Sequence, residues 1–138
     1  MTGDDVVAAA RECLGTPFCH QGRIPGLALD CAGLIVAVAQ KLGIYHFDVD
    51  GYGRRPNRGL LESTLASHPE LIAVDCARLV PGDILLMRFT KEPQHLAIFA
   101  GETIIHSWSS PGKVCEHRID AVWRSRIIAA YRFREVQA

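Results

Sequence analysis

Apolar residues recur at helical spacing near the start of the chain. Val6, Val7, Ala10 and Leu14 form one stripe, with Asp4 and Asp5 ahead of them where the helix dipole favours negative charge. Gly15, Thr16 and Pro17 end that helix. A second helix is expected from Asp30, a good N-cap, through the apolar run Ala32 to Leu42, with Gly43 as its stop. It is apolar almost all round, which predicts a buried central helix. Between the two, residues 15–29 carry Pro17, Gly22, Pro25 and Gly26 and read as a long loop of the kind that often serves function. Residues 48–59 (DVDGYGRRPNRG) read as another loop, and Leu60 to His68 as a short amphipathic helix closed by Pro69.

From Pro81 onward the pattern changes. Ile84–Met87, His95–Ala100, Thr103–Trp108 and Ile127–Phe133 read as strands. The last alternates, with Ala129, Tyr131 and Phe133 set against Arg132 and Arg134, which predicts a sheet with one wet face. Helices followed by strands predict an α+β fold, N-terminal helices packed on a C-terminal antiparallel sheet. With 138 residues the chain suits a single domain, 1–138, with one sizeable core.

Gly101-Glu102 sits between two apolar runs, and Gly at the first central position suits a type II′ turn. That register sets Ala100 opposite Thr103, Ala97 opposite His106 and His95 opposite Trp108. His95, Ala97, Phe99, Ile104, His106 and Trp108 then share one face. His95 and His106 become diagonal neighbours, about 7–8 Å apart at the backbone, close enough for their rings to bond. The pairing alone leaves open whether these are half-buried sheet histidines or a working pair.

Charge and cysteine usage narrow the function. Lys+Arg and Asp+Glu are equal at 15 each, so the basic footprint of a general nucleic-acid binder is absent. No apolar run reaches the roughly 18 residues of a membrane span. Met1-Thr2-Gly3-Asp4-Asp5 is acidic where a secretory signal is basic, so synthesis in the cytoplasm without a signal peptide is expected. Five cysteines at irregular spacing argue against a disulfide framework.

Among the cysteines, Cys31 stands apart. It follows the N-cap Asp30, in the first turn of the buried helix, where free N–H groups and the dipole favour a thiolate. On that ground its pKa is expected in the roughly 3.5–7.5 range of activated thiols, ahead of the other cysteines in reactivity at mildly acidic pH. With His95 as base and His106 orienting that base, it fits the general logic of a cysteine hydrolase. The plainer reading is a small buried hydrophobe. Cys13 reads as packing, and Cys76 and Cys115 fall in polar, irregular stretches with no base nearby. Cys19-His20 borders Cys31. A zinc site from Cys13, Cys19, His20 and Cys31 is conceivable, but no Cys-x-x-Cys spacing supports it, so neither metal nor cofactor is expected.

Leu29-Asp30-Cys31-Ala32-Gly33-Leu34-Ile35, Pro81-Gly82-Asp83-Ile84, His95-Leu96-Ala97-Ile98-Phe99-Ala100-Gly101 and Ile105-His106, in this order, resemble the NlpC/P60 family of papain-like cysteine peptidases that cut bacterial cell-wall peptides. The segment Gly15-Thr16-Pro17-Phe18-Cys19-His20-Gln21-Gly22-Arg23 resembles its phage-type subgroup, found among tail genes of phages and gene-transfer agents. The resemblance implies Cys31 as nucleophile, His95 as general base and His106 as third residue, acting on peptidoglycan stem peptides, typically between D-γ-glutamate and a diamino acid. It also implies action on the cell wall, with phage-like tail-tip proteins as partners. The family commonly has Tyr at the position of Phe18, its hydroxyl assisting the oxyanion. Phe18 cannot donate, which turns attention to the Cys31 N–H and His20. Ala32 stands where the family often has Ser. Asp30 and Trp108 border the implied site.

The remaining polar and aromatic residues have plainer readings. His46, His68 and His117 read as solvated. Arg54, Arg55 and Arg58 read as a solvated loop that also suits stem-peptide carboxylates, and Trp108 and Trp123 as core or rim packing. Two other functions fit the same residues: a thiol acyltransferase on the same fold, and a non-catalytic tail-tip module.

Overall fold

Thr2 starts the first helix, α1 (Gly3–Arg11), through a capping box: its side chain accepts from Asp5 N–H, and the Asp5 carboxylate accepts from Thr2 N–H at 2.9 Å. This computed structural model describes residues 1–44, 60–89, 93–108 and 111–136. The loop read at 48–59, with Arg54, Arg55 and Arg58, lies outside the described residues, as does His46. Residues 15–29 contain two short strands, β1 (Arg23–Ile24) and β2 (Ala28–Leu29), which pair antiparallel. The helix α2 (Cys31–Lys41) follows, capped by Asp30, and then α3 (Leu60–Ser67). α2 is buried from Ala32 to Ala39, which its all-round apolar sequence requires.

Six strands form the main sheet: β3 (Leu71–Val74), β4 (Ile84–Arg88), β5 (Pro93–Phe99), β6 (Thr103–Trp108), β7 (Lys113–Arg118) and β8 (Ile127–Phe133). A short helix α4 (Ala121–Ser125) precedes β8. The order is β3-β8-β4-β5-β6-β7, with every neighbour antiparallel. The hairpin register is the one the turn predicts, with Ile98 opposite Ile105, Phe99 opposite Ile104 and Ala100 N–H donating to Thr103 O at 2.9 Å. Gly101 takes φ +99°, a conformation that its lack of a Cβ permits.

Two of the six strands, β3 and β7, were not expected. Both lie at sheet edges, where one side lacks a strand partner and the sequence pattern is weak. The loop segment 15–18 runs along β7, with an isolated bridge from Pro17 to Lys113: Gly15 N–H donates to Val114 O, Val114 N–H to Thr16 O and Phe18 N–H to Gly112 O, each at 2.9 Å.

Alternation along the strands splits the core in two. Ile84, Leu86, Leu96, Ile98, Ile105, Tyr131 and Phe133 pack with α1 and α2. On the opposite face Leu85, Met87, Ala97, Phe99, Ile104, Ile119 and Ala130 form a second, smaller cluster. The wet face expected from β8 is therefore apolar at its centre. Arg132 also leaves bulk solvent: it binds the fully buried Asp83 carboxylate at 2.7 and 3.0 Å.

Candidate active site

Asp30 builds the platform for Cys31. One carboxylate oxygen accepts from Gly33 N–H at 2.7 Å, capping α2, and the other accepts from Gln21 N–H at 2.7 Å. Arg23 reaches the same carboxylate at 3.1 Å and also donates to Gly22 O. A Cβ on Gly33 would lie 2.0 Å from Gly22 O, so loop backbone packs directly on the first turn of the helix. Ser107, fully buried on β6, donates to Leu29 O at 2.6 Å and fixes the chain two residues before Cys31. Asp30 is thus a positioning residue, with both oxygens engaged by the loop and helix it joins.

The Cys31 sulfur receives the backbone N–H groups of Ala32 and of Leu96, which brings the helix start against β5 beside His95. Those two contacts and Arg23 favour the thiolate, but they are outweighed. Crowding by protein atoms, followed by the Asp30 charge, pushes the thiol up to about 12, even though Cys31 keeps some surface. The activated thiolate expected from the helix start is therefore corrected: burial and the Asp30 charge raise the thiol by more than the two N–H contacts and Arg23 lower it, which favours the protonated form.

His95 and His106 lie on one sheet face, as the register predicts, and bond directly: His95 Nε2 to His106 Nδ1 is 2.6 Å. Both are buried. Desolvation first, and neighbouring positive charge second, holds His95 well below its ordinary value and His106 down at about 3, so both rings are neutral.

A third histidine extends the pair. His117 on β7 brings its Nε2 to 2.7 Å from His106 Nε2, and its Nδ1 to 2.9 Å from the Arg118 carbonyl. It was expected to be solvated, because β7 was not recognised as a strand. Once Ile104 is paired with His117, the face follows. A carbonyl only accepts, so His117 carries its proton on Nδ1 and offers a lone pair at Nε2. Given that lone pair, and with the His95 and His106 rings neutral, His106 then donates from Nε2 and accepts at Nδ1, and His95 donates from Nε2. The lone pair of His95 is left on Nδ1, the nitrogen free to act as a base. One backbone carbonyl thereby sets three tautomers.

Aromatic rings surround this chain. Trp108 stacks on His106 with centroids 5.7 Å apart, and Trp123 meets His106 edge-on at 5.0 Å. Both tryptophans therefore line the histidines rather than packing elsewhere. Phe89, not singled out from the sequence, lies 4.7 Å from the His95 ring and 5.5 Å from Trp108. Its signal was available in the alternation of Leu85, Met87 and Phe89 along the sequence, although β4 ends at Arg88. Arg126 sits over Trp123 at 4.5 Å and over Phe89 at 5.1 Å, a cation held at the rim.

Phe18 and His20 stand in the loop before α2, each part-exposed. Phe18 is held through its backbone on Gly112, and Cys19 between them is exposed. His68, expected to be solvated, is half-buried and accepts the Glu70 N–H at 3.1 Å through Nδ1. Cys115 lies on β7 directly opposite His106, not in an irregular stretch without a base.

Known structures share this architecture. The NlpC/p60 domain of the peptidoglycan hydrolase SagA is 24% identical, with a TM-score of 0.65, over 94% of this chain and 97% of that one. An NlpC/P60 family protein from Bacillus cereus is 19% identical, with a TM-score of 0.70, over 96% of this chain and 40% of that one. The peptidoglycan hydrolase RipB from Mycobacterium tuberculosis is 14% identical, with a TM-score of 0.66, over 99% of this chain and 65% of that one. At these identities the likeness establishes the fold, α+β and papain-like. No curated protein matches the sequence. The NlpC/P60 family model matches residues 15–132, and the chain belongs to that family.

Proposed function

We propose that the protein is a cysteine peptidase that hydrolyses peptidoglycan stem peptides, at the bond between D-γ-glutamate and a diamino acid, through Cys31, His95 and His106. The observation that carries this reading is the 2.6 Å contact from His95 Nε2 to His106 Nδ1, which leaves Nδ1 of a neutral imidazole as the base, one residue from the Leu96 N–H that meets the Cys31 sulfur. Membership of a family whose structural neighbours include peptidoglycan hydrolases supports the substrate class.

A neutral pair calls for general-base catalysis. His95 Nδ1 takes the Cys31 proton as sulfur bonds to the carbonyl carbon. His106, accepting from Nε2–H, stabilises the imidazolium so formed and holds the ring in place. The oxyanion takes the Cys31 N–H, with His20 as a second donor and Phe18 shaping the wall. Collapse breaks the peptide C–N bond, and His95 returns the proton to the leaving amine. Water, deprotonated by His95, then attacks the thioester carbonyl and releases the acid and the thiol.

The Gly15–Arg23 segment supports a phage-type enzyme, made in the cytoplasm and brought to the wall by tail-tip proteins of a phage-like particle. The test is incubation with purified muropeptides and mass spectrometry of the products. Wild type should release fragments cut at the D-γ-glutamyl bond, and Cys31→Ala should keep the fold and release none. Cleavage by Cys31→Ala at near wild-type rate contradicts the mechanism. Transfer of the acyl group to an added amine in place of water would identify a transferase.

A further inference from the structure

The β6–β7 pairing sets His106 opposite Cys115 and Ile104 opposite His117, all on the sheet face that carries His95. His106, Cys115 and His117 each offer one ligand atom, and these atoms lie within 4.8 Å of one another. His106 is buried, whereas Cys115 and His117 keep some surface, so the group opens towards solvent from the β7 side.

Two further observations point to a ligand. His117 donates Nδ1–H to the Arg118 carbonyl at 2.9 Å, the orienting contact that metal-binding histidines characteristically make, and so aims a fixed Nε2 lone pair into the group. Trp108 Nε1–H is buried, finds no nitrogen or oxygen acceptor among the described residues, and points at the Cys115 sulfur, where it favours the thiolate. A metal-bound thiolate at 115 makes that sulfur a full acceptor for the N–H.

We propose that His106, Cys115 and His117 form a zinc site, and that zinc bound there switches off the adjacent Cys31–His95 pair. The site stands on its own geometry, and the switch rests on the peptidase reading above. Two imidazole nitrogens and a thiolate suit Zn²⁺ over the oxygen-seeking Mg²⁺ and Ca²⁺. Tetrahedral zinc with nitrogens at about 2.0–2.1 Å sets those nitrogens roughly 3.3 Å apart. The two Nε2 atoms, 2.7 Å apart in the hydrogen bond, need to separate by about half an ångström, a small ring movement for the part-exposed His117. Water completes the shell.

The proton count explains the switch. Cys115 releases its thiol proton to solvent on binding zinc. His106 loses the proton on Nε2 to make room for the metal and takes it up on Nδ1. His106 Nδ1–H now donates to His95 Nε2, so the His95 proton moves from Nε2 to Nδ1. His95 then presents an N–H to Cys31 where it had presented a lone pair, and cannot accept the thiol proton. His117 already has its proton on Nδ1 and changes nothing.

The test has two arms. In a Cys31→Ala background, which removes the other thiol–imidazole pair, Co²⁺ serves as the spectroscopic probe. One Co²⁺ per chain should bind with a thiolate-to-metal charge-transfer band that Zn²⁺ abolishes by competition, and Cys115→Ser should remove the band. Failure to bind, or a band that survives in both Cys115→Ser and Cys115→Ala, overturns the site. In the second arm, zinc should inhibit muropeptide cleavage by wild type, and a chelator should restore it. Cys115→Ser should retain the basal rate and need at least roughly tenfold more zinc for the same inhibition, since loss of an outer-shell partner alone already costs about that much. Equal zinc sensitivity of the two proteins overturns the switch. If metal-free wild type cleaves no muropeptide, the peptidase reading and the switch fall together, while the cobalt arm still decides the site.

Discussion

The two faces of the central sheet are built from the same strands and do opposite work. On the helix side, Leu86, Leu96, Ile98 and Ile105 meet α1 and α2 in an unbroken apolar core. On the other side, the apolar cluster of Leu85, Met87, Ala97 and Phe99 runs into three hydrogen-bonded histidines ringed by Phe89, Trp108 and Trp123. The difference is directional. Apolar contacts on the first face carry stability without orientation, whereas each bond on the second face fixes which nitrogen holds a proton. Burial keeps the His95 and His106 rings neutral, and the Arg118 carbonyl, through His117, aligns them. A face that contributes modestly to packing can therefore carry the chemistry.

That contrast breaks most sharply under paired substitutions. His95→Gln on the polar face should lower muropeptide cleavage by about 10²–10⁴-fold, the usual contribution of a general base, with little change in the thermal midpoint. Leu86→Ala on the apolar face should cost about 2–5 kcal/mol of stability and leave the surviving folded fraction active. Urea titration with parallel rate measurements checks both. Loss of activity and stability together in His95→Gln would erase the distinction.

His106→Gln sharpens the gradient within the polar face. An amide oxygen can still accept from His95 Nε2–H, so the rate should fall, but by less than in His95→Gln. Equal losses in the two variants would mean that His106 is not merely orienting the base.

A smaller effect appears in pH dependence. His95 and His106 have folded pKa values below their unfolded ones, His106 at about 3, so the unfolded chain binds more protons as pH falls. Their contribution to stability is complete above the unfolded value near 6.5 and is lost on acidification towards the folded value. The slope is at most about 1.4 kcal/mol per pH unit for each histidine. Urea midpoints between about pH 6.5 and 5 should fall less steeply in His106→Gln than in wild type. Identical slopes would mean that these rings are not held neutral.

The smallest effect concerns the thiols. Because burial pushes Cys31 up to about 12, iodoacetamide at pH 6 should label the exposed Cys19 ahead of it. Peptide mapping that finds Cys31 labelled first would restore the activated thiolate that the helix start alone suggests.

Much of this was legible before the structure. The Asp30 cap, the buried run after Cys31 and the Gly101-Glu102 turn fixed α2 and the hairpin, because each rests on local backbone chemistry. The turn alone placed His95 and His106 on one face. What escaped were edge strands, whose pairing depends on residues distant in sequence. Lys113–Arg118 alternates polar and apolar residues too weakly to announce β7, and with it went His117 and Cys115. The thiol was misjudged for a related reason: helix position is local, but the burial of Cys31 against the core depends on packing that only the folded chain brings together.

The central claim is that a backbone carbonyl, acting through three imidazoles, leaves the lone pair of His95 on Nδ1. Nitrogen-15 NMR of histidine-labelled protein at neutral pH reads each tautomer directly. The account predicts protons on Nδ1 of His117, Nε2 of His106 and Nε2 of His95, with the His95 and His106 rings neutral. A His95 ring protonated at Nδ1, whether neutral or as imidazolium, would contradict it.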